Sequence, residues 1–436
     1  MEYAPKSYPA RCRQATHTTE ALAEELETEF CIHGRVVELI GAKGKLIDVY
    51  GSVEFILGNV TRRVGVGDIV ELSGRKVAKE LLVDEVVLLV SVERGAWKSV
   101  EAAEYSHSGR ALILRARVLA AVRTFFDTRE FIEVETPSLV QAAGQDLHIQ
   151  LFETEFISGA EQSSYVLITS PEHHMKRLLV EGWERIYQIC RCFRNGECSQ
   201  VHNPEFTMVE WYRAYVDYQA IMADVETLVS HVAYSVLGTT EIEYGENSID
   251  LSPPWQRLSL KDAFAELASL AVDSWEDEEG FRRRAQDVDS PSIGIEDTWE
   301  EVFYKLLIEK IEPALAKMGP LFLTEYPPQM AALAKLNKRN GLYAERAEAY
   351  VGGLELANGF TELNDPAEQR RRFVAEQKKR RQVGYSVHPV DEKLLKALER
   401  GMPPAAGIAL GIDRLLMLLN GSSTIGTVMA FPFQEV

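Results

Sequence analysis

Apolar and polar residues alternate in five short runs near the start of the chain, at 31–39, 45–50, 53–57, 68–74 and 81–92. A period of two sends successive side chains to opposite faces of a strand. Glycine-bearing turns at 41–44, 51, 58 and 65–67 separate the runs. Five such strands within about 65 residues predict a small closed barrel, with an OB-fold as first choice and a generic barrel without a ligand as the alternative. The period changes over 110–129. There Leu112, Leu119, Val122 and Phe126 form one helical stripe, with Leu114, Val118, Ala121 and Phe125 beside it. A strand ending at Pro137 follows directly. Beyond it strands and helices mix without repeats, which makes the fold class α+β. The charged stretch 275–297 predicts solvated helix and loop, and 369–382 a basic helix. The chain therefore divides into a tail over 1–29, a barrel over 30–95, a linker over 96–109 and a larger domain over 110–436.

Composition narrows the function. With 436 residues, 46% apolar and 26% charged, the chain has material for two or three packed domains, and disordered or collagen-like classes are excluded. Acidic residues outnumber basic ones 66 to 47, a net charge of −19, which argues against holding nucleic acid by bulk attraction. The barrel segment is neutral, with nine basic and nine acidic residues, and it has few aromatics: Phe30, Tyr50 and Phe55. Readers of single strands stack bases on aromatics within a positive groove, so this barrel is poorly equipped apart from a small patch around Arg62 and Arg63. No run approaches the ~20 continuous apolar residues of a membrane span, and residues 1–29 lack the apolar core of a secretion signal. The expected setting is cytoplasmic, with no membrane partner. Five cysteines (Cys12, Cys31, Cys190, Cys192, Cys198) suit reduced thiols better than a disulfide scaffold. The one-residue spacing of Cys190 and Cys192 and the want of a fourth ligand argue against structural zinc there.

Three segments carry residues suited to charged ligands. In the first, a strand delivers Arg194 to a loop through Asn195, Gly196 and Glu197. The return strand, after His202 and Asn203, places Met208, Glu210 and Tyr212 on one face. A carboxylate beside a phenol suits an ammonium group, and an Arg–Glu salt bridge within a hairpin is the plain alternative. In the second, Glu355 and Glu362 stand seven apart in an otherwise apolar stretch. Carboxylates so placed need a pair or a cation, and Mg²⁺ held between them and substrate phosphates fits. In the third, the small-residue run from Gly407 through Ala409 to Gly411 leads into a helix opening with Asp413 and Arg414. Glycines let a flat nucleotide approach backbone, and an arginine presents a fixed fork to phosphate.

Together these segments resemble the three signature motifs of class II aminoacyl-tRNA synthetases. FIEVETP is similar to the first motif, FRNGE…HNPEFTMVEWYR to the second and GIALGIDR to the third, across about 110–436. Within that class, TSPEHHMKRLL, HNPEFTMVEWY and ELANGFTELND resemble the lysyl-tRNA synthetases. They resemble still more the GenX/PoxA-type paralogues that attach lysine or (R)-β-lysine to a lysine of translation elongation factor P. Ala409 stands where the synthetases carry glycine and the paralogues alanine. Two features depart from the pattern: Gly196 intervenes before Glu197, and a barrel precedes a domain that stands bare in the familiar paralogue.

The resemblance implies an antiparallel sheet flanked by helices, a homodimer built through the first motif, and ATP with Mg²⁺ as cofactors. It implies that Arg194 and Arg414 grip phosphates, and that Glu355 and Glu362 hold the metal. It puts Asn195, Gly196, Asn203, Glu355, Leu356 and Gly411 at the nucleotide, and Ser170, Pro171, Glu172, Glu210, Tyr212 and Glu362 around the amino acid. The implied activity is formation of an aminoacyl-adenylate and transfer to elongation factor P, or, as the alternative, to tRNA. The barrel's neutrality favours a protein acceptor. A paralogue that binds without catalysing is disfavoured by the intact Arg194, Glu355, Glu362 and Arg414.

Overall fold

The computed structural model describes residues 15–19, 22, 27–48, 50–58, 60, 64–91, 99–144, 146–147, 149–159, 161–337, 339 and 342–436, without the side chains of 99–108 and 161. Cys12, Arg62 and Arg63 lie outside the described residues. Two compact units divide the chain, Met1–Leu114 and Arg115–Val436.

In the first unit β1 (Glu27–Ile40), β2 (Lys43–Ile47), β3 (Ser52–Leu57), β4 (Ile69–Val77) and β5 (Glu80–Val90) close in the order β1-β2-β3-β5-β4, with β3 and β5 parallel and β4 returning antiparallel to β1. This is the five-stranded OB-like arrangement that the alternation predicts. β1 begins inside the acidic tail: Glu27, Thr28 and Glu29 pair in register with Val77, Lys76 and Arg75, so that Glu29 stands opposite a basic residue across the ladder. Phe30, Ile32, Val36, Leu46, Phe55, Val70, Leu72 and Val83 fill the interior. Two glycines are fixed by close approach. A methyl at Gly44 would lie 2.4 Å from the Phe55 ring, and one at Gly74 would lie 1.9 Å from the carbonyl of Leu82.

α1 (Ser99–Asp127) begins within the stretch expected as a linker, since Glu101 to Glu104 (EAAE) is helix-favouring sequence. Its buried face is Val118, Val122, Phe125 and Phe126, whereas Leu112 is exposed. Along the second unit follow β6 (Ile132–Glu133), α2 (Glu172–Val180), β7 (Arg185–Phe193), β8 (Glu205–Ala214), α3 (Tyr218–Leu237), β9 (Gln256–Ser259), α4 (Leu260–Leu267), α5 (Glu278–Ala285), α6 (Trp299–Leu306), β10 (Leu321–Tyr326), β11 (Tyr343–Val351), β12 (Leu354–Thr361), α7 (Pro366–Gln382), α8 (Glu392–Glu399), β13 (Ala405–Gly411) and α9 (Ile412–Leu419). The sheet runs β9-β10-β11-β12-β13-β8-β7-β6, antiparallel through its middle and parallel at both edges.

Helices cover this sheet, so its central strands are buried on both faces and lose the alternation that marks a half-exposed strand. α3 packs on β11, β12 and β13. It is the one helix among the described residues long and apolar enough to cross a membrane. Its Ile221, Met222, Val225, Leu228, Val229 and Val232 are instead buried inside the unit. The 275–297 stretch is a correction to the solvated helix expected there. Its charges face outward while Trp275 and Phe281 are buried with Phe264, Trp299 and Phe303, with Trp299 stacked on Phe303 at 5.3 Å.

Candidate active site

The cleft opens where β8, β12 and β13 lie side by side. β8 pairs with β13 so that Glu210 faces Ala409, and β13 pairs with β12 so that Ala409 faces Asn358. The cleft measures about 480 Å³, and Arg194, Glu197, His202, Asn203, Glu348, Glu355, Leu356, Ala409, Gly411 and Arg414 are in its wall.

Its cationic side is held from several elements. Arg194 leaves the end of β7, its backbone N–H donating to Pro204 O at 2.8 Å. Its guanidinium lies over the Phe206 ring at 5.2 Å and 3.5 Å from Glu197, and its buried Nε has no partner among the described residues. Gly196 adopts φ +84°, a left-handed turn that glycine makes without strain. That turn absorbs the extra residue and returns Glu197 to the cleft wall. Arg414, one turn into α9, donates to Glu355 O at 2.5 Å and lies 3.4 Å from its Oε2. Nε2 of His202 is 2.7 Å from the same guanidinium. Burial and then Arg414 lower the His202 pKa, which keeps the imidazole a neutral acceptor. Asp413 fixes the start of α9 by accepting from Thr207 N at 2.6 Å and from Arg115.

Beside it is a carboxylate nest at the feet of β8 and α2, the group of residues expected around the amino acid. Tyr212 donates to Oε1 of Glu210 at 2.6 Å, and Ser170 donates to its Oε2 at 2.7 Å while accepting from Glu172 N at 3.0 Å. Pro171 is the N-cap of α2 and sets Glu172 in its first turn. Glu362, just past β12, is fully enclosed, and its Oε2 lies 2.5 Å from Lys176 Nζ. Gly407 is required beneath them, since a methyl there would sit 2.2 Å from Tyr212 and 2.8 Å from Glu362. Burial raises the Glu210 pKa to about 7, reinforced by Glu172 and opposed by the Tyr212 and Ser170 hydrogen bonds. Burial raises Glu362 to about 8, opposed mainly by Lys176.

The residues expected at this site do not all fall in one place. Arg194, Asn203, Glu355, Leu356, Gly411 and Arg414 meet in the cleft. Asn195 and Gly196 are not in its wall: Asn195 N donates to Gln150 O at 2.9 Å and its side chain is turned to Leu151 O. Both ends of the Asn203 amide hold backbone, Glu205 O at 2.6 Å and Phe433 N at 3.0 Å. Glu362 belongs to the carboxylate nest, paired with Lys176, and does not line the cleft beside Glu355. Glu355 and Glu362, expected to hold a metal together, are therefore not neighbours in the cleft wall; the carboxylate that accompanies Glu355 there is Glu348, on the neighbouring strand β11, which feels the Glu355 charge.

Glu348 also accepts from Arg346 at 2.7 Å, Asn358 at 3.1 Å and Tyr350 at 3.1 Å. Carboxylates open to a phosphate-sized cleft are the donors a hard divalent cation takes, with phosphates and water completing the shell. The sequence signal for Glu348 was present, because it precedes Glu355 by the same seven residues that separate Glu355 from Glu362. Lys176 and Asp413 carried no such signal.

Other expectations resolve simply. Cys190 and Cys192 lie 3.7 Å apart as free thiols, and exposed Cys198 receives a hydrogen bond from Gln434. The basic helix α7 is largely engaged within the fold: Arg370 pairs with Glu392, Arg371 and Arg372 with Glu368, and fully buried Arg380 binds the carbonyls of Asp146 and Ile149 at 2.6 and 2.9 Å.

The antiparallel sheet thus carries an arginine-bordered cleft beside a buried carboxylate nest. Residues 99–435 match the family described as tRNA synthetases class II (D, K and N), and the chain belongs to that family. It is 41% identical over 325 residues to a lysine–tRNA ligase of Moorella thermoacetica, covering 74% of this chain and 65% of that protein. It is 40% identical over 332 residues to the lysine–tRNA ligase of Bacillus subtilis, covering 74% of this chain and 64% of that one. The elongation factor P–(R)-β-lysine ligase of Edwardsiella ictaluri is 40% identical over 324 residues, 73% of this chain and 94% of that enzyme. The matched region thus spans a little under two thirds of the lysine–tRNA ligases and nearly all of the elongation factor P ligase.

Proposed function

We propose that the chain is an ATP-dependent, AMP-forming ligase that activates lysine or (R)-β-lysine and transfers it to a lysine side chain of elongation factor P. The observation that carries the amino-acid assignment is the nest of Glu172, Glu210, Tyr212 and Glu362 beside the cleft of Arg194 and Arg414. Carboxylates buried together suit a substrate with two ammonium groups.

In the first step a carboxylate oxygen of the amino acid attacks the α-phosphorus of ATP, and the P–O bond to pyrophosphate breaks. Arg194 and Arg414 hold the charge that builds on the phosphates, so the protein's part is positioning and electrostatic stabilisation. A divalent cation at Glu348 and Glu355 would add phosphate neutralisation. In the second step the neutral acceptor amine attacks the adenylate carbonyl, an amide N–C bond forms as the acyl C–O bond breaks, AMP leaves with that oxygen, and the amine's proton passes to solvent.

Two observations favour the protein acceptor. Nearly the whole length of the Edwardsiella elongation factor P ligase is matched, and Ala409 puts a methyl group in the cleft wall opposite Glu210. The identity to lysine–tRNA ligases supports the second reading, a tRNA-charging enzyme with a reduced barrel. We further infer a cytoplasmic homodimer, a state to be measured by light scattering. Lysine- and β-lysine-dependent ATP–pyrophosphate exchange, followed by transfer to elongation factor P or tRNA, tests the whole reading. Rapid tRNA charging without modification of elongation factor P would replace it by the second.

A further inference from the structure

Among the described residues Lys176 is the one cation inside the carboxylate nest. It projects from α2 with 1% exposure, and its Nζ lies 2.6 Å from Glu172 Oε1, 2.5 Å from Glu362 Oε2 and 5.2 Å from the Phe360 ring centre. Glu210 completes the set, held by Tyr212 and Ser170. Three carboxyl groups and one ammonium therefore share one region, with Glu210, Glu362 and Lys176 buried and Glu172 partly exposed at its edge. Like charges at such spacing and burial cannot all persist without a counter-charge, and removing one partner of a buried pair is far more costly than losing an exposed one.

We propose that Lys176 is a positioning residue for amino-acid binding: a resident counter-charge that neutralises one of three carboxylates, fixes Glu172 and Glu362 relative to each other, and leaves two negative charges for the two ammonium groups of a diamino acid. The inference rests on the lysine reading above and deepens it. Its location supports permanence. Lys176 is on the same helix as Glu172, one turn on, and its side chain is enclosed along its length. Without it, a substrate ammonium would be drawn into the gap between Glu172 and Glu362, and the substrate carboxylate would be withdrawn from the nucleotide.

ATP–pyrophosphate exchange on the full chain tests this. Lys176→Met should raise the lysine KM by about 100-fold, the scale of a broken buried pair. The ATP KM should stay within about threefold, a split that general loss of structure does not produce. Lys176→Arg, which keeps the charge, should recover about tenfold of the loss. Lysine and ATP KM values rising together, or a lysine KM that moves less than about threefold, would overturn the proposal.

A parent chain without lysine-dependent exchange would instead remove the lysine reading on which it rests. Should Lys176→Met lose its native melting transition, amine competition on the unaltered chain decides. Two open charges require that cadaverine compete with lysine about tenfold better than pentylamine and that spermidine gain nothing further. A further tenfold gain for spermidine would mean three open carboxylates and no resident counter-charge.

Discussion

The Tyr212 hydroxyl donates to Oε1 of Glu210 at 2.6 Å, two positions apart on β8 and both enclosed. This bond leaves the carboxylate's remaining acceptor capacity for Ser170 and for an ammonium ligand. Tyr212→Phe removes one donor to a charged acceptor, worth about 1–2 kcal/mol. The lysine KM in pyrophosphate exchange should rise roughly 5- to 30-fold with the ATP KM unchanged. A variant with wild-type lysine KM would place the amino acid elsewhere.

The nest should also titrate in an unusual range. Burial puts Glu210 at about 7 and Glu362 at about 8, against an ordinary 4.5. Ammonium binding needs the ionised forms, so lysine affinity should fall as pH drops from about 9 to 6. The unliganded fold has the opposite dependence. Folded pKa values above unfolded ones contribute stability that is full below the unfolded value and is lost as pH rises through the folded value. The melting temperature without lysine should therefore decline across pH 5–9 from these two groups, and saturating lysine should reduce that decline. A lysine KM that stays flat from pH 6 to 9 would rule this out.

Arg194 has a buried Nε without a partner among the described residues, and the residue lines the cleft. Arg194→Ala should cost adenylate formation about 2–4 kcal/mol of barrier, the scale of losing one preorganised donor. Single-turnover adenylate formation is the measurement, and normal activation would remove Arg194 from the phosphate site.

The two carboxylates paired by sequence spacing should separate by experiment. Glu348→Gln should raise the Mg²⁺ concentration needed for half-maximal exchange about tenfold while sparing the lysine KM. Glu362→Gln should do the reverse. If Glu362→Gln shifts the Mg²⁺ requirement and Glu348→Gln does not, the metal belongs with Glu362 after all.

Ala409 contributes a methyl group opposite Glu210 and Asn358. Ala409→Gly should move the ratio of β-lysine to lysine activation toward lysine by roughly tenfold, the usual discrimination available from one carbon in a pocket. Unchanged selectivity in parallel exchange assays would show that the floor of the pocket is set by other residues.

The local pattern of the chain determined the barrel strands, because each carries its own period-two alternation and its turns carry glycine. It also placed Arg194, Glu210, Tyr212 and Arg414, since strand parity puts Glu210 and Tyr212 on one face whatever surrounds them. Long-range packing decided the rest. The bulge that offsets Tyr350–Glu355 from Ala349–Ala357 and the path of the chain past β12 determine which carboxylate joins Glu355, and no spacing rule reports that. Trp275 and Phe281 looked solvated because single aromatics among many charges give no periodic signal, yet they build a core. Lys176 stands in the sequence only as part of TSPEHHMKRLL. Glu172 is its i,i+4 neighbour on α2, but only the fold brings Glu210 and Glu362 up to the pair, from β8 and the end of β12. The sequence supplies the charged groups, and tertiary burial decides which of them must be paired.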